Sequence, residues 1–327
     1  MISTLELKQF RGLEHVKFEN LGRANLIIGG NNTGKTSILE ALVLLYGSSS
    51  QLTELPVTFR VQPGKSKDVV PGFWRHLPKG GYPSALLIES EERKVTAGEN
   101  TNGWQFIEAR SNQNSNVIVV IEKNGHLGIP NRPSAPTISI VSTKQEDPGE
   151  VSELFNQIAP LNPKNEAKLE ELLRKSIDPR LRVLRYARPQ GTQIHLVYAD
   201  LGEGPMLPFT QLGQAFARTL QIYCEIFASR PKLILIDEIE SGLYYEGMED
   251  FWKGLMAVLE DQDVQLFATT HSRECMEAAH KAAASMEGDP LRFLRLDRRV
   301  DDPGKIVATT FGKEEMQTAI EFNREMR

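Results

Sequence analysis

Cysteine is nearly absent from this chain. Its 327 residues include only Cys224 and Cys275, with no metal-ligand spacing around either. A disulfide framework and a thiolate metal site are thereby excluded, and both residues read as buried thiols in a reducing cytosol. Long apolar runs are also missing. None approaches the ~18 residues that a membrane-spanning helix needs, and no signal peptide precedes the first strand. The expectation is a cytoplasmic chain that does not span a membrane. An excess of basic charge is lacking too: 38 Lys and Arg face 43 Asp and Glu, for a formal net charge of −5. That balance disfavours a dominant nucleic-acid-binding surface but leaves room for a local basic groove. No internal repeat and no long heptad run occurs, which excludes an extended coiled-coil arm. With 40% hydrophobic and 25% charged residues, the chain is ordinary for a globular protein, and its length allows one large domain or two.

What is present is concentrated in a few short stretches. The segment "GGNNTGKTS", residues 29–37, follows the apolar run "ANLII" and leads into "ILEALVLLYG". Gly29, four residues, then Gly34-Lys35-Thr36 fit the P-loop template, and strand, loop and helix come in the order that motif requires. Gly29, Gly30, Asn31, Asn32, Thr33, Gly34, Lys35, Thr36 and Ser37 are the candidate nucleotide-binding residues. The glycines let backbone N–H groups turn toward phosphate oxygens, and the helix N-terminus favours the anion. Lys35 would reach the β- and γ-phosphates, and the Thr36 hydroxyl would bind Mg²⁺, which prefers hard oxygen ligands.

A P-loop needs acidic partners, and "LILIDEIE" supplies them at the end of an apolar strand. Asp237 is the candidate second metal ligand, and Glu238 would orient or deprotonate the attacking water. His271 follows a further apolar strand in "LFATTHS", where an imidazole could hydrogen-bond the γ-phosphate or serve the fold alone.

The remaining chain reads as follows. Residues 1–20 alternate like paired strands, and 48–80 is rich in Ser, Pro, Gly and Lys, so loop with short elements is expected. "SALLIES", "NVIVVIE" and "TISIVS" suggest an antiparallel meander over 83–142. Residues 149–176 turn helical, with 163–176 a solvated charged helix, and strands follow near "RLRVLRYA" and "QIHLVYADLG". Helices are expected at 214–228 and 246–260, strands at 232–238 and "VQLFATT", and two strands and a helix in the last forty residues. Asp261-Gln-Asp263 reads as a loop.

"FRG" before the P-loop, "LGQ" before a helix, "LIDEIESGL" and "TTHS" together resemble the ABC-type ATPases of the SMC, RecF and OLD (overcoming lysogenization defect) group. The chain looks most similar to the stand-alone AAA-15/AAA-21-type, OLD-like ATPases, over nearly its whole length. The resemblance implies an α/β fold: an ABC-type P-loop core with a mixed sheet flanked by helices, an antiparallel β meander and a short helical insertion. It implies one domain, with 1–47 and 205–327 as the nucleotide-binding core and 48–204 inserted. It also implies a homodimer or higher homo-oligomer whose two heads sandwich two ATP molecules with Mg²⁺, each ATP meeting the signature motif of the other head. The family signature is Leu-Ser-Gly-Gly-Gln; here the stretch is "LGQAF", so Gly213, Gln214 and Ala215 are the candidate positions in trans. Gly213 lacks the serine hydroxyl and Ala215 adds a methyl, which points to slow turnover, and restoring Ser and Gly is expected to speed it. Tyr244 stands where relatives often carry His or Asp. Arg11 in "FRG" matches a family arginine near the nucleotide, or it braces the fold. No Q-loop glutamine is evident, Gln62 being the nearest candidate.

Three functions fit these residues. One is a cytoplasmic ATPase switch that controls a separately encoded effector, a nuclease or toxin, in bacterial antiphage defence. OLD proteins carry a fused Toprim nuclease, and no room for one is expected here after the last core strand. The second is a RecF/SMC-like repair ATPase that clamps DNA, with Lys65–Lys67 and Arg292–Arg299 as local basic clusters. The third is a nucleotide-binding scaffold of low activity, against which Glu238 argues. A transporter subunit fits least.

Overall fold

The computed structural model describes residues 1–59, 73–80, 85–100, 105–111, 115–122, 127–130, 137–143, 147–188 and 193–321. The chain opens with strands β1 (Leu5–Phe10) and β2 (Leu13–Phe18), paired antiparallel as the alternation requires. Strand β3 (Ala24–Gly29) then delivers the P-loop to helix α1 (Lys35–Tyr46).

All six residues of β3 are buried, because both faces of its sheet are covered. Side chains alternate across a strand. Ala24, Leu26 and Ile28 therefore join one core with the helices, while Ile27 joins a second core with α1 and the antiparallel sheet. The same division splits β13 (Leu233–Ile236): Ile234 and Ile236 face one core, Leu233 and Leu235 the other. This is why both strands read as continuous apolar runs rather than alternating ones.

Six strands form the central sheet, in the order β16 (Ile306–Phe311), β15 (Leu291–Arg298), β3, β14 (Gln265–Thr269), β13, β9 (Ile138–Val141). All neighbours run parallel except β16, which returns antiparallel along β15. Strands β4 (Leu86–Glu89), β5 (Arg93–Glu99), β6 (Gln105–Ser111), β7 (Ser115–Ile121) and β8 (Leu127–Gly128) form the expected meander, which continues the β1–β2 sheet. A smaller sheet holds β10 (Val183–Ala187), β11 (Leu196–Asp200) and β12 (Leu207–Pro208).

Two expectations are corrected. "TISIVS" does not belong to the meander: its strand, β9, runs parallel to β13 in the central sheet, with Ile236 opposite Val141. A parallel pairing between strands so distant in sequence leaves no local turn signal. Within the segment expected as loop with short elements, Ser49–Phe59 forms a helix of three turns, α2, despite Pro56, because Leu52 and Leu55 are buried in the second core. Tertiary burial overrides the weak local propensity there. Gln62 and Lys65–Lys67 lie outside the described residues.

Helices α3 (Pro148–Leu161) and α4 (Pro163–Ser176) meet at Asn162, whose side chain accepts the Lys164 N–H. Helix α4 is charged outward as expected but buries Leu169 and Leu173. Helix α5 (Gln214–Cys224) continues as one π-helical turn, Glu225–Ser229. Helices α6 (Tyr245–Asp261), α7 (Arg273–Ala284) and α8 (Lys313–Glu321) complete the described fold. Cys224 and Cys275 are free, buried thiols as expected, and burial pushes Cys275 up to about 12. Asp261 and Asp263 are structural: they pair with Lys168, and with Arg23 and Lys232.

Candidate nucleotide site

The P-loop leaves β3 through two glycines whose conformations exclude other residues. Gly29 has φ +141°, and a Cβ there would sit 2.3 Å from the Leu296 carbonyl oxygen; Gly34 has φ +97° and would press a Cβ to 2.9 Å from Leu13. Asn32 also adopts positive φ, 59°. Thr33 closes the loop on itself by donating to the Gly30 carbonyl at 3.0 Å. Lys35 is 4% exposed and donates to the Gly29 and Gly30 carbonyls at 2.7 and 2.9 Å. Burial lowers its pKa to about 8, against the opposing pull of Asp237, Glu240 and Glu238.

Strand β13 ends where α1 begins. The Thr36 hydroxyl lies 3.5 Å from Asp237 Oδ1, and Thr269, at the end of β14, donates to the same oxygen at 2.6 Å. Burial raises the Asp237 pKa, and its hydrogen bond from Thr269 and the positive charge of Arg218 pull it back. A hydroxyl and a carboxylate this close are hard oxygen donors of the kind Mg²⁺ takes alongside phosphate oxygens, so these two residues fit the metal. Glu238 stands next, at φ +48°, its N–H bound to Thr269 Oγ1 at 2.8 Å.

A cleft of about 500 Å³ lies over this loop, lined by Asn32, Thr33, Gly34, Lys35, Thr36 and Ser37, and by Arg11, His271, Lys79 and Arg298. Four separate segments thus supply cations to one anion-shaped space. Arg11 does both things open to it: it lines the cleft and braces the fold, through Glu40 at 3.2 Å and by lying 4.2 Å from the Phe73 ring centroid. Arg298 was legible only as part of a basic cluster; it donates to the Asn32 carbonyl of the P-loop at 2.9 Å. Lys79 carried no sequence signal.

The signature positions do not line this cleft. Gly213, at φ 90°, precedes α5 with Gln214 exposed, and Gln214 packs against the turn after Glu240, where a Cβ on Gly242 would approach it to 3.0 Å. From the same helix, buried Arg218 donates to the carbonyl of Asp237 at 2.9 Å and to that of Ser142, so the signature helix is tied to the acidic strand end. The Asp237 N–H in turn bonds the Val141 carbonyl at 3.0 Å. The chain leaving β9 therefore starts beside the acids.

A P-loop on β3, an acidic strand end one place removed and a histidine just past the strand between them are the arrangement of an ABC-type ATPase. The chain belongs to the family described as "AAA domain, putative AbiEii toxin, Type IV TA system", which it matches over residues 81–277. Residues 1–103 match the AAA ATPase domain family. An ATP/GTP phosphatase of Helicobacter pylori is 24% identical over 328 residues, covering 85% of this chain and 87% of its own. Among solved structures, an SMC head bound to the C-winged helix domain of ScpA matches with TM-score 0.54 and 14% identity, covering 97% of this chain and 99% of its own. The Smc head with an extended coiled coil from Pyrococcus furiosus, bound to the C-terminal domain of ScpA, gives 0.52 and 12%, covering 99% of each. Among the described residues no helix is long and apolar enough to cross a membrane.

Proposed function

We propose that this ATPase is a Mg²⁺-dependent dimeric switch that controls a separately encoded effector, a nuclease or toxin, in bacterial antiphage defence. The observation that carries the nucleotide chemistry is the approach of Thr36 to Asp237, 3.5 Å, at the N-terminus of the helix that Lys35 begins. In this reading the P-loop amides cradle the phosphates and Lys35 pairs with the β- and γ-oxygens. Thr36 and Asp237 hold Mg²⁺, which neutralises phosphate charge when bound. Glu238 takes the proton of the attacking water, giving ADP and phosphate. His271 donates to the terminal phosphate.

Gly213, Gln214 and Ala215 of one head meet the nucleotide of the other. Their placement outside the cleft of their own chain supports this arrangement. The chain is one domain in which 48–204 is an insertion that lends β9 to the core. Control of a partner is supported by the toxin–antitoxin system in the family description and by the ScpA domains carried by the two SMC heads.

Glu238→Gln keeps the shape of the site and removes the base. It is expected to bind ATP as tightly as the parent, lose turnover and accumulate as an ATP-bound dimer in size-exclusion chromatography with light scattering. Co-expression with the products of neighbouring genes then tests for an effector whose activity follows the nucleotide state. Wild-type turnover in Glu238→Gln would overturn the assignment of the base. ATP-dependent DNA binding with a steep salt slope would replace the effector reading by a DNA clamp.

A further inference from the structure

We infer that Glu240 is the positioning residue for His271, fixing the turn that carries the imidazole over the P-loop cleft. The inference rests on the catalytic reading of His271 given above. Glu240 lies two residues beyond Glu238 and reaches across to the neighbouring strand end. One of its oxygens, Oε1, accepts the backbone N–H of His271 at 2.7 Å and that of Ser272 at 3.2 Å. Bonds from amides to a carboxylate are about twice as strong as neutral ones.

These bonds are not needed to start the helix that follows. Helix α7 has its own cap, the Ser272 hydroxyl, which accepts the Cys275 N–H at 3.0 Å. Upstream, the Thr270 N–H is held by the Ile27 carbonyl at 3.1 Å. His271 is the residue between these two anchors, and the bond its own N–H makes goes to Glu240. The holder is itself held: the Ile239 N–H bonds the Thr269 carbonyl at 3.0 Å, and the Leu243 N–H bonds the Glu240 carbonyl at 2.9 Å. The acidic turn and the histidine turn are thus one hydrogen-bonded unit, and Glu240 is the side chain that closes it.

The other carboxylate oxygen argues that the residue is not there for packing. Glu240 Oε2 is buried without a hydrogen-bond partner, an arrangement that penalises the ion. A leucine at this position would avoid that cost but would leave the His271 amide unheld, while the Ser272 amide would keep its bond to Thr270 Oγ1 at 3.0 Å.

One competing role is visible: Glu240 is among the acids whose charge favours the Lys35 ammonium. Reach and charge are separable by substitution. Glu240→Gln keeps the length and an acceptor oxygen but removes the charge. Glu240→Asp keeps the charge but withdraws the oxygen by one methylene from both amides.

Steady-state ATPase kinetics and calorimetric ATP affinity of E240Q, E240D, H271A and E240D/H271A decide the matter. The expected result is kcat within a few-fold of the parent for E240Q, and a fall of about tenfold or more for E240D. ATP affinity should stay unchanged in both, and the double variant should turn over no more slowly than H271A. A slow E240Q beside a normal E240D, or a change in ATP affinity without one in kcat, would place the role at Lys35 and overturn the inference. If H271A is slow and E240D slows it further by its full factor, Glu240 does not act through His271, and the inference alone fails. If H271A turns over at the parent rate, the catalytic reading of His271 falls, and this inference falls with it.

Discussion

Thr269 donates its hydroxyl to Asp237 Oδ1 at 2.6 Å and accepts the Glu238 N–H on the same oxygen at 2.8 Å. One side chain from β14 therefore fixes the carboxylate proposed to hold the metal and the backbone of the proposed base. Thr269→Val preserves the shape and removes both bonds, leaving a buried carboxylate short of a donor. The expected loss is about 1–3 kcal/mol of stability, with more Mg²⁺ needed for half-maximal ATPase. Thr269→Ser should recover both. Chemical denaturation and a Mg²⁺ titration check this, and a Val variant with parental metal demand would refute it.

Lys35 gives a pH dependence of definite sign. Burial holds its pKa near 8 in the free protein, and phosphate charge favours the ammonium form, so binding ATP takes up a proton at and above that pH. Affinity should be level below pH 8 and weaken above it, approaching about tenfold per pH unit. Calorimetry in two buffers of different ionisation enthalpy reads the proton directly at pH 8.5. Lys35→Ala should abolish binding. No uptake by the parent protein would mean that Lys35 is not the phosphate partner.

The signature stretch yields a revised expectation. A Cβ at Gly213 meets nothing within 4 Å, but the residue has φ +90°, a conformation that costs other residues about 1–3 kcal/mol. Gly213→Ser should therefore lower the melting temperature instead of simply restoring a lost donor. Ala215→Gly alone is expected to raise turnover several-fold and to strengthen ATP-dependent self-association. If neither changes, while the protein still hydrolyses ATP, this stretch does not face a nucleotide in trans.

The parts of the site legible in sequence were those whose chemistry is local. The glycines at 29 and 34, Lys35, Thr36 and the Asp237-Glu238 pair announce themselves because each function needs a residue type at fixed spacing from its neighbour. Glu240, Thr269 and Arg298 lie in stretches that drew notice, but their particular bonds did not show, since their partners come from other strands. The same reason hid β9: "TISIVS" reads as any short strand, and only its parallel pairing with β13 places it beside the acids. Helix α2 was obscured by Pro56 and the serines ahead of it, whose turn propensity is outweighed by burying Leu52 and Leu55.

The position of β3 has a consequence for biosynthesis. Its two neighbours, β14 and β15, come from near the other end of the chain. While the protein is being made, the apolar strand 24–29 lacks both of its sheet neighbours until residue 296 has emerged. At roughly 5–20 residues per second, that delay is on the order of tens of seconds. The phosphate-binding loop is thus translated well before the strands that complete its sheet. A factor that shields this strand on the ribosome is expected to raise the yield of folded protein without touching the finished site.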